Sequence, residues 1–298
     1  MKSIKLTLSR DNIVKDILNL GVNQGDTIFV TADLLAVGFF AKGRKETLNA
    51  WVDILMEAVG PQGTIIVAAY TETFFRFKKN KSIIFESNTP SNSGSLSTAF
   101  LNDERSVRSK HPTNSYVGIG PNAHRILCGH DQHSLSYSPL GKIIELGGKN
   151  LMIGTVDMRN APMAFHYAQE CLGHTLHNPT NGLFQAYYKN EEGVTNLYTR
   201  KDSGGCSRGA YHLYGSLLVN NAVKFGYIGK ARSALIEGKQ SFDVIKEVLN
   251  KNRKIVLCDD KLCTSCYGRW SNNGAKVFWF YLYKYIVRKL FTLNKHRN

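Results

Sequence analysis

The sequence predicts an α/β fold on three observations. Strand-like and helix-like segments alternate from Ser9 to Tyr70. The run Thr64-Ile65-Ile66-Val67-Ala68-Ala69-Tyr70 is short, apolar and β-branched, as a strand buried on both faces needs to be. The chain has 298 residues, 43% of them hydrophobic, which supplies a sizeable core and excludes a largely disordered chain.

Each element follows from local signals. Ser9 is an N-cap, Ile13, Ile17, Leu18 and Leu20 form one helical face, and Gly21 stands where a C′ glycine belongs. Gly25-Asp26 turns into the short strand Thr27-Ile28-Phe29-Val30. Leu48, Trp51, Val52, Leu55, Met56 and Val59 recur at helical spacing, and Gly60-Pro61 ends that helix. Gln62-Gly63 then turns into the 64–70 strand, completing a strand–helix–strand pattern. Residues 74–139 are rich in Ser, Asn, His and Arg with few periodic stretches, and long irregular segments of this kind usually carry function. Gly147-Gly148 leads into a further buried strand, Leu151-Met152-Ile153-Gly154, and a helix is expected from Phe165 onward. No repeat at solenoid or propeller spacing is visible.

Charge narrows the partners. Lys plus Arg total 38 and Asp plus Glu 23, a formal charge of +15 that suits polyanions: nucleic acid, an anionic membrane or a phosphate-bearing substrate. Zinc-finger, RNP-like and helix-turn-helix signatures are missing, so nucleic acid is not an expected partner. From Lys261 onward there is no acidic residue, while Lys261, Arg269, Lys276, Lys284, Arg288, Lys289, Lys295 and Arg297 are basic. Among them lies Val277-Phe278-Trp279-Phe280-Tyr281-Leu282-Tyr283. That stretch is too short to span a bilayer, and a basic, aromatic C-terminal helix over 271–298 lying at a membrane interface is predicted. Docking on the chain's own core or on a second subunit is the other reading. Met1–Arg10 has no continuous apolar core, and six cysteines are too few for a disulfide framework. A cytoplasmic protein with reduced thiols is expected, stationed by its tail at the inner face of the cytoplasmic membrane.

Three stretches can carry chemistry. Arg108-Ser109-Lys110-His111-Pro112-Thr113-Asn114-Ser115 places cations, hydroxyls and an imidazole in one loop, fit to grip phosphate or orient an acyl carbonyl. Ser136-Tyr137-Ser138-Pro139-Leu140-Gly141-Lys142 is a hydroxyl-bearing turn leading into a short helix. After the Gly154 strand come Asp157 and then His166-Tyr167-Ala168-Gln169-Glu170, where a helix brings His166 beside Gln169 or Glu170. A histidine oriented by a carboxylate is a general base.

In order, these stretches resemble the aminoglycoside 3-N-acetyltransferase (antibiotic N-acetyltransferase) family. The resemblance runs from Leu20-Gly21-Val22-Asn23-Gln24-Gly25-Asp26-Thr27 through Ala36-Val37-Gly38 and Ala58-Val59-Gly60-Pro61-Gln62-Gly63-Thr64. It continues through Arg108-Ser109, His111-Pro112 and Ser115, then Ser138-Pro139-Leu140, Glu145-Leu146-Gly147-Gly148, Gly154 and His166-Tyr167-Ala168. It covers residues 13–170, and beyond Glu170 the likeness is diffuse. It implies a central mixed sheet flanked by helices, an N-acetyltransferase domain over 1–270, acetyl-CoA as co-substrate and direct transfer to an amine. By the same likeness His166 is the general base and Ser115 stabilises the carbonyl oxygen. Leu35, Ala36, Val37 and Gly38, with Arg108, Ser109 and His111, border the CoA. The family's His-x-x-Glu reads His166-x-x-Gln169 here. The group that orients the base is therefore Glu170 from a rotated helix or Asp157, or else the base is weaker. The family's His-Ser after the first strand is replaced by Thr31-Ala32-Asp33.

The acceptor is read from charge. A pocket for a polycationic aminoglycoside needs clustered carboxylates, and this chain has few. A nucleotide- or lipid-linked amino sugar of bacterial surface-polysaccharide (O-antigen) biosynthesis is the expected acceptor, with antibiotic acetylation and resistance as the alternative. The diffuse second half leaves room for a homo-oligomer interface. Finally, Cys258-x4-Cys263-x2-Cys266, with Cys206 or a nearby histidine as a fourth ligand, stands near the spacing of a structural zinc or iron–sulfur site, although reduced thiols at a strand end and turn are the favoured reading because the four-cysteine pattern is incomplete. An inactive, membrane-associated, metal-binding scaffold is the reading of another class.

Overall fold

The computed structural model describes residues 8–40, 44–156, 160–178, 180–260, 263, 265–266 and 278–287. The chain opens with α1 (Arg10–Leu20), capped by the Ser9 hydroxyl, which accepts from the Asn12 N–H. Gly21 at φ 118° closes it, its N–H returning to the last turn as a left-handed C-terminal residue does. Then come β1 (Thr27–Ala32), α2 (Leu34–Val37), α3 (Arg44–Val59) and β2 (Thr64–Ala68). The middle of the chain holds β3 (Phe74–Phe75), β4 (Ile84–Phe85), α4 (Ser95–Leu101), β5 (Val107–Arg108), β6 (Tyr116–Ile119) and α5 (Ala123–Leu127). After it come α6 (Ser138–Glu145), β7 (Lys149–Ile153) and α7 (Met163–Cys171). The remainder is β8 (Phe184–Lys189), β9 (Thr195–Thr199), α8 (Tyr214–Val219), β10 (Val223–Ile228), β11 (Ala231–Glu237) and α9 (Gly238–Lys251).

Seven strands form a mixed central sheet in the order β10-β11-β7-β1-β2-β6-β5. β1 runs parallel to β2 and β7, and the outer pairings are antiparallel. The apolar runs are continuous because each inner strand feeds two cores. Ile28, Val30, Ile65, Val67, Leu151 and Ile153 pack on one face with Ile13 of α1, Trp51 of α3 and Phe100 of α4. The alternate residues Phe29, Ile66 and Met152 pack on the other face with Ile126, Ile143, Phe165 and Ile245 of α5, α6, α7 and α9. A period-two strand covered on both sides therefore reads as unbroken hydrophobicity.

A second sheet was not foreseen. β8 is its spine, paired with β3, β4 and β9, and it draws in the front half of the irregular 74–139 segment. Of the expected 271–298 helix, residues 278–287 are helical, with Phe278, Trp279, Tyr283, Tyr285 and Ile286 exposed, and the rest lies outside the described residues. Among the described residues no helix is long and apolar enough to cross a membrane.

Candidate active site

The carboxyl ends of β1, β2 and β7 open into a cavity of about 520 Å³. This is where an open α/β sheet places its ligands. Its walls include Thr31 at the end of β1, Asp33 and Leu35 after it, Tyr70 after β2, the 92–97 segment, Thr155 after β7, and Tyr137, His166 and Ser207.

His166 reaches this cavity because the start of α7 is bolted to the sheet. The buried Asn150 of β7 donates through Nδ2 to the Phe29 carbonyl (3.0 Å) and accepts through Oδ1 from the Met163 N–H (2.8 Å). One turn later the His166 ring stacks on Tyr137, with centroids 5.0 Å apart and planes 21° from parallel. Nδ1 lies 3.2 Å from Gln169 Oε1 and Nε2 lies 2.9 Å from Ser207 Oγ. An amide oxygen only accepts, so the Gln169 contact puts the proton on Nδ1 and makes Nε2 the basic nitrogen.

The loops on either side are held by buried polar groups. Asp202 accepts from the Ser136 N–H (2.5 Å) and hydroxyl (2.8 Å). The Gly204 N–H donates to the Tyr137 hydroxyl at 3.1 Å. A Cβ at Gly204 would sit 2.0 Å from that hydroxyl and 3.1 Å from His166 Nδ1, so the backbone beside the imidazole has room only for glycine.

Glu170 does not orient His166. Its Oε2 turns to the Tyr137 N–H at 2.9 Å, and the helical rotation that would have brought it to the base has not occurred. The amide of Gln169 takes that position instead. Burial pushes the Glu170 carboxyl up to about 7, with the Asp202 charge adding to the rise and the Tyr137 N–H holding it back. A raised carboxyl favours the folded state below its ordinary pKa of 4.5, and that advantage is lost as pH climbs through about 7. Glu170→Gln is therefore expected to be more stable than the parent at pH 8, by about 3 kcal/mol, with the difference closing below about pH 4.5. Urea titrations across that range check it, and a pH-independent difference would refute it. Asp157, the other expected orienting carboxylate, lies outside the described residues.

The Arg108–Ser115 loop lies elsewhere. Ser115 is fully buried; its hydroxyl donates to the Ala69 carbonyl (2.6 Å) and accepts from Arg108 Nε (3.1 Å), so it is not presented to the cavity. Arg108 also donates to the carbonyls of Ala69 (2.9 Å), Ser87 (3.1 Å) and Thr89, and its guanidinium lies 5.0 Å from the Phe85 ring centre. Ser109 bridges the Tyr116 N–H (2.9 Å) and His130 Nδ1 (3.0 Å). His111 accepts on Nδ1 from the Thr113 and Asn114 N–H groups and meets the Tyr198 hydroxyl through Nε2 at 3.2 Å. It stacks on His130 at 4.8 Å, and burial pushes both imidazoles down, His130 to about 4. These side chains satisfy backbone groups where the chain crosses the interior without regular structure. Arg108 and Ser109 border a second cavity of about 630 Å³, which shares no lining residue with the first. Of the expected CoA-bordering residues, Leu35 lines the His166 cavity; Ala36, Val37 and Gly38 do not, and Val37 is buried in the core.

Sequence reasoning missed Ser207, which is 41 positions from the histidine it meets and follows a Gly-Gly-Cys that reads only as a source of a metal ligand. Tyr137 sat within the flagged hydroxyl-bearing turn without being assigned to His166. Away from the cavity, the sulfur atoms of Cys206, Cys258, Cys263 and Cys266 all lie within 4.8 Å of one another.

Residues 29–250 match the family profile described as aminoglycoside 3-N-acetyltransferase. Among curated relatives, aminoglycoside N(3)-acetyltransferase III from Salmonella sp is 32% identical over 177 residues, 54% of this chain and 60% of that one. Aminoglycoside N(3)-acetyltransferase VIII from Streptomyces fradiae is 27% identical over 165 residues, 49% of this chain and 56% of that one. The chain thus matches 56–60% of the length of these relatives. Among solved structures, aminoglycoside acetyltransferase AAC(3)-IVa, an apoenzyme, superposes with a TM-score of 0.71 at 18% identity, over 90% of this chain and 98% of that one. AAC-IIIb, a binary complex with CoASH, gives 0.68 at 21% identity, over 82% of this chain and 97% of that one. At these identities the superpositions establish the mixed α/β fold.

Proposed function

The chain belongs to the aminoglycoside 3-N-acetyltransferase family, and from that membership we propose that it transfers an acetyl group from acetyl-CoA to an amine of an amino sugar. The observation that carries the reading is His166 lining the sheet-end cavity, with Nδ1 on Gln169 and Nε2 at Ser207. An ammonium cannot attack a thioester. Nε2 takes one proton, the freed nitrogen attacks the carbonyl carbon, and the tetrahedral intermediate expels the CoA thiolate, which recovers that proton from the imidazolium; the second proton of the attacking nitrogen then leaves through the neutral imidazole to solvent. The products are an amide and free CoA thiol. With Ser115 committed to the Ala69 carbonyl, the donors to the developing oxyanion come from the hydroxyls that line the cavity, among them Thr31, Ser93, Thr155 and Ser207.

Aminoglycosides are the acceptors the relatives' names point to. A second reading keeps the reaction and changes the acceptor to a nucleotide- or lipid-linked amino sugar of surface-polysaccharide biosynthesis. The cavity chemistry favours it: among the described lining residues the one carboxylate is Asp33, and its Oδ1 accepts from the Leu35 and Ala36 N–H groups. That is sparse provision for a polycation, in a chain of charge +15. The test is thiol release from acetyl-CoA with kanamycin, gentamicin, nucleotide-diphosphate amino sugars and a lipid-diphosphate amino sugar in anionic vesicles. Release with the antibiotics alone selects the first acceptor class, and release with the phosphate-linked sugars alone selects the second. No release with any acceptor would sink the reaction itself.

A further inference from the structure

We propose that Cys206, Cys258, Cys263 and Cys266 hold one zinc ion as a structural tetrathiolate site. Two separate pieces of chain converge here: Cys206 at the end of the Gly204-Gly205 loop, and three cysteines within 258–266. All four sulfurs lie within 4.8 Å of one another, and those of Cys258 and Cys266 are 3.6 Å apart. A tetrahedral ion with bonds of about 2.3 Å sets its sulfurs about 3.8 Å apart. A disulfide needs about 2.05 Å, and none is formed. An iron–sulfur cluster anchors its cysteines on different iron atoms and spreads them wider than this group allows.

The ligands are brought together by contacts that do not involve sulfur. Gly209, in the 3-10 turn Arg208–Leu213, packs directly on the turn Arg253–Val256, where a Cβ would meet the Val256 carbonyl at 2.0 Å. The Tyr211 hydroxyl donates to Asp259 (2.6 Å), His212 Nδ1 donates to the Ile255 carbonyl (2.7 Å), and Arg208 lies 3.8 Å from Asp260. The Cys263 N–H returns to the Asp260 carbonyl at 2.9 Å, folding the chain back between two ligands. Binding converts four thiols to thiolates with release of four protons, leaving a site of net charge −2. With all four positions filled by protein, the ion has no open site for chemistry. Its role is to pin the segment after α9 to the loop that sets Ser207 on His166. That last link rests on the proposed acetyl transfer, and the metal site does not.

The test uses the full chain, expressed with added zinc and purified without chelator. About one equivalent of zinc per chain is expected by elemental analysis. Cobalt exchanged into the same protein should show thiolate-to-metal charge-transfer and tetrahedral d–d absorption. Cys206→Ser and Cys258→Ser should lose the metal, and Cys128→Ser, outside the group, should keep it. Cys263→His preserves four donors and should retain metal with a shifted cobalt spectrum, which decides the matter if the serine variants do not fold. Less than about a tenth of an equivalent of zinc, iron with acid-labile sulfide, or full zinc in Cys258→Ser would each overturn the site. None of these readouts depends on turnover, so loss of the acetyltransferase reading would leave them standing.

Discussion

His166→Ala is expected to lower kcat/KM for acetyl-CoA-dependent acetylation by about 100- to 10,000-fold, the range a positioned general base supplies. The fold should survive. His166 is partly exposed at a cavity wall, and Asn150, not the imidazole, ties α7 to β1 and β7. Thermal unfolding of the variant should stay within a few degrees of the parent, while initial rates collapse at saturating acetyl-CoA. Activity within threefold of the parent would remove His166 from the mechanism. Gln169 is the neutral amide against which Nδ1 aims the ring, at 3.2 Å.

How far the sequence exposed this arrangement depends on what each residue has to satisfy. α1 was legible because Ser9 and Gly21 meet local demands, a cap hydrogen bond and a left-handed terminal residue. β1, β2 and β7 were legible because two cores impose hydrophobicity at every position. The β8 sheet was not. β3 and β4 are two residues each, and β9 alternates in burial but not in residue type, with Leu197 exposed and Asn196 half-buried, so no hydrophobic period survives to be read. The site divided the same way. His166 sits on an amphipathic helix beside a strand end, a local pattern. The Ser207 contact is purely tertiary. The residues from Arg108 to Ser115 look reactive, and that appearance misled for a physical reason: hydroxyls, guanidinium and imidazole are also the groups best suited to satisfying buried backbone in an irregular crossing. A sequence does not distinguish a polar group aimed at substrate from one aimed at a carbonyl.

Arg108→Ala separates those two uses. If Arg108 bordered CoA, its removal would raise KM for acetyl-CoA and leave stability almost unchanged. The geometry calls for the reverse. One guanidinium joins Ser115 Oγ to the carbonyls of Ala69, Ser87 and Thr89, stapling the exit of β2 to the strand segment that leads into the 92–97 cavity wall. Among the described residues no carboxylate pairs with it, and burial pushes its pKa down to about 10. Truncation strips these acceptors of a charged donor and opens a void beside Phe85. The expected cost is about 3 kcal/mol, a fall in melting temperature of roughly 6–12 °C for a chain of this size. Arg108→Lys should recover only a small part of it, because one ammonium cannot span acceptors on three segments. Denaturant titration measures the loss, and KM for acetyl-CoA, taken well below the melting temperature, should move less than threefold. A stable variant with a tenfold higher KM would return Arg108 to the cofactor and make the second cavity, not the wall of the first, its place of work.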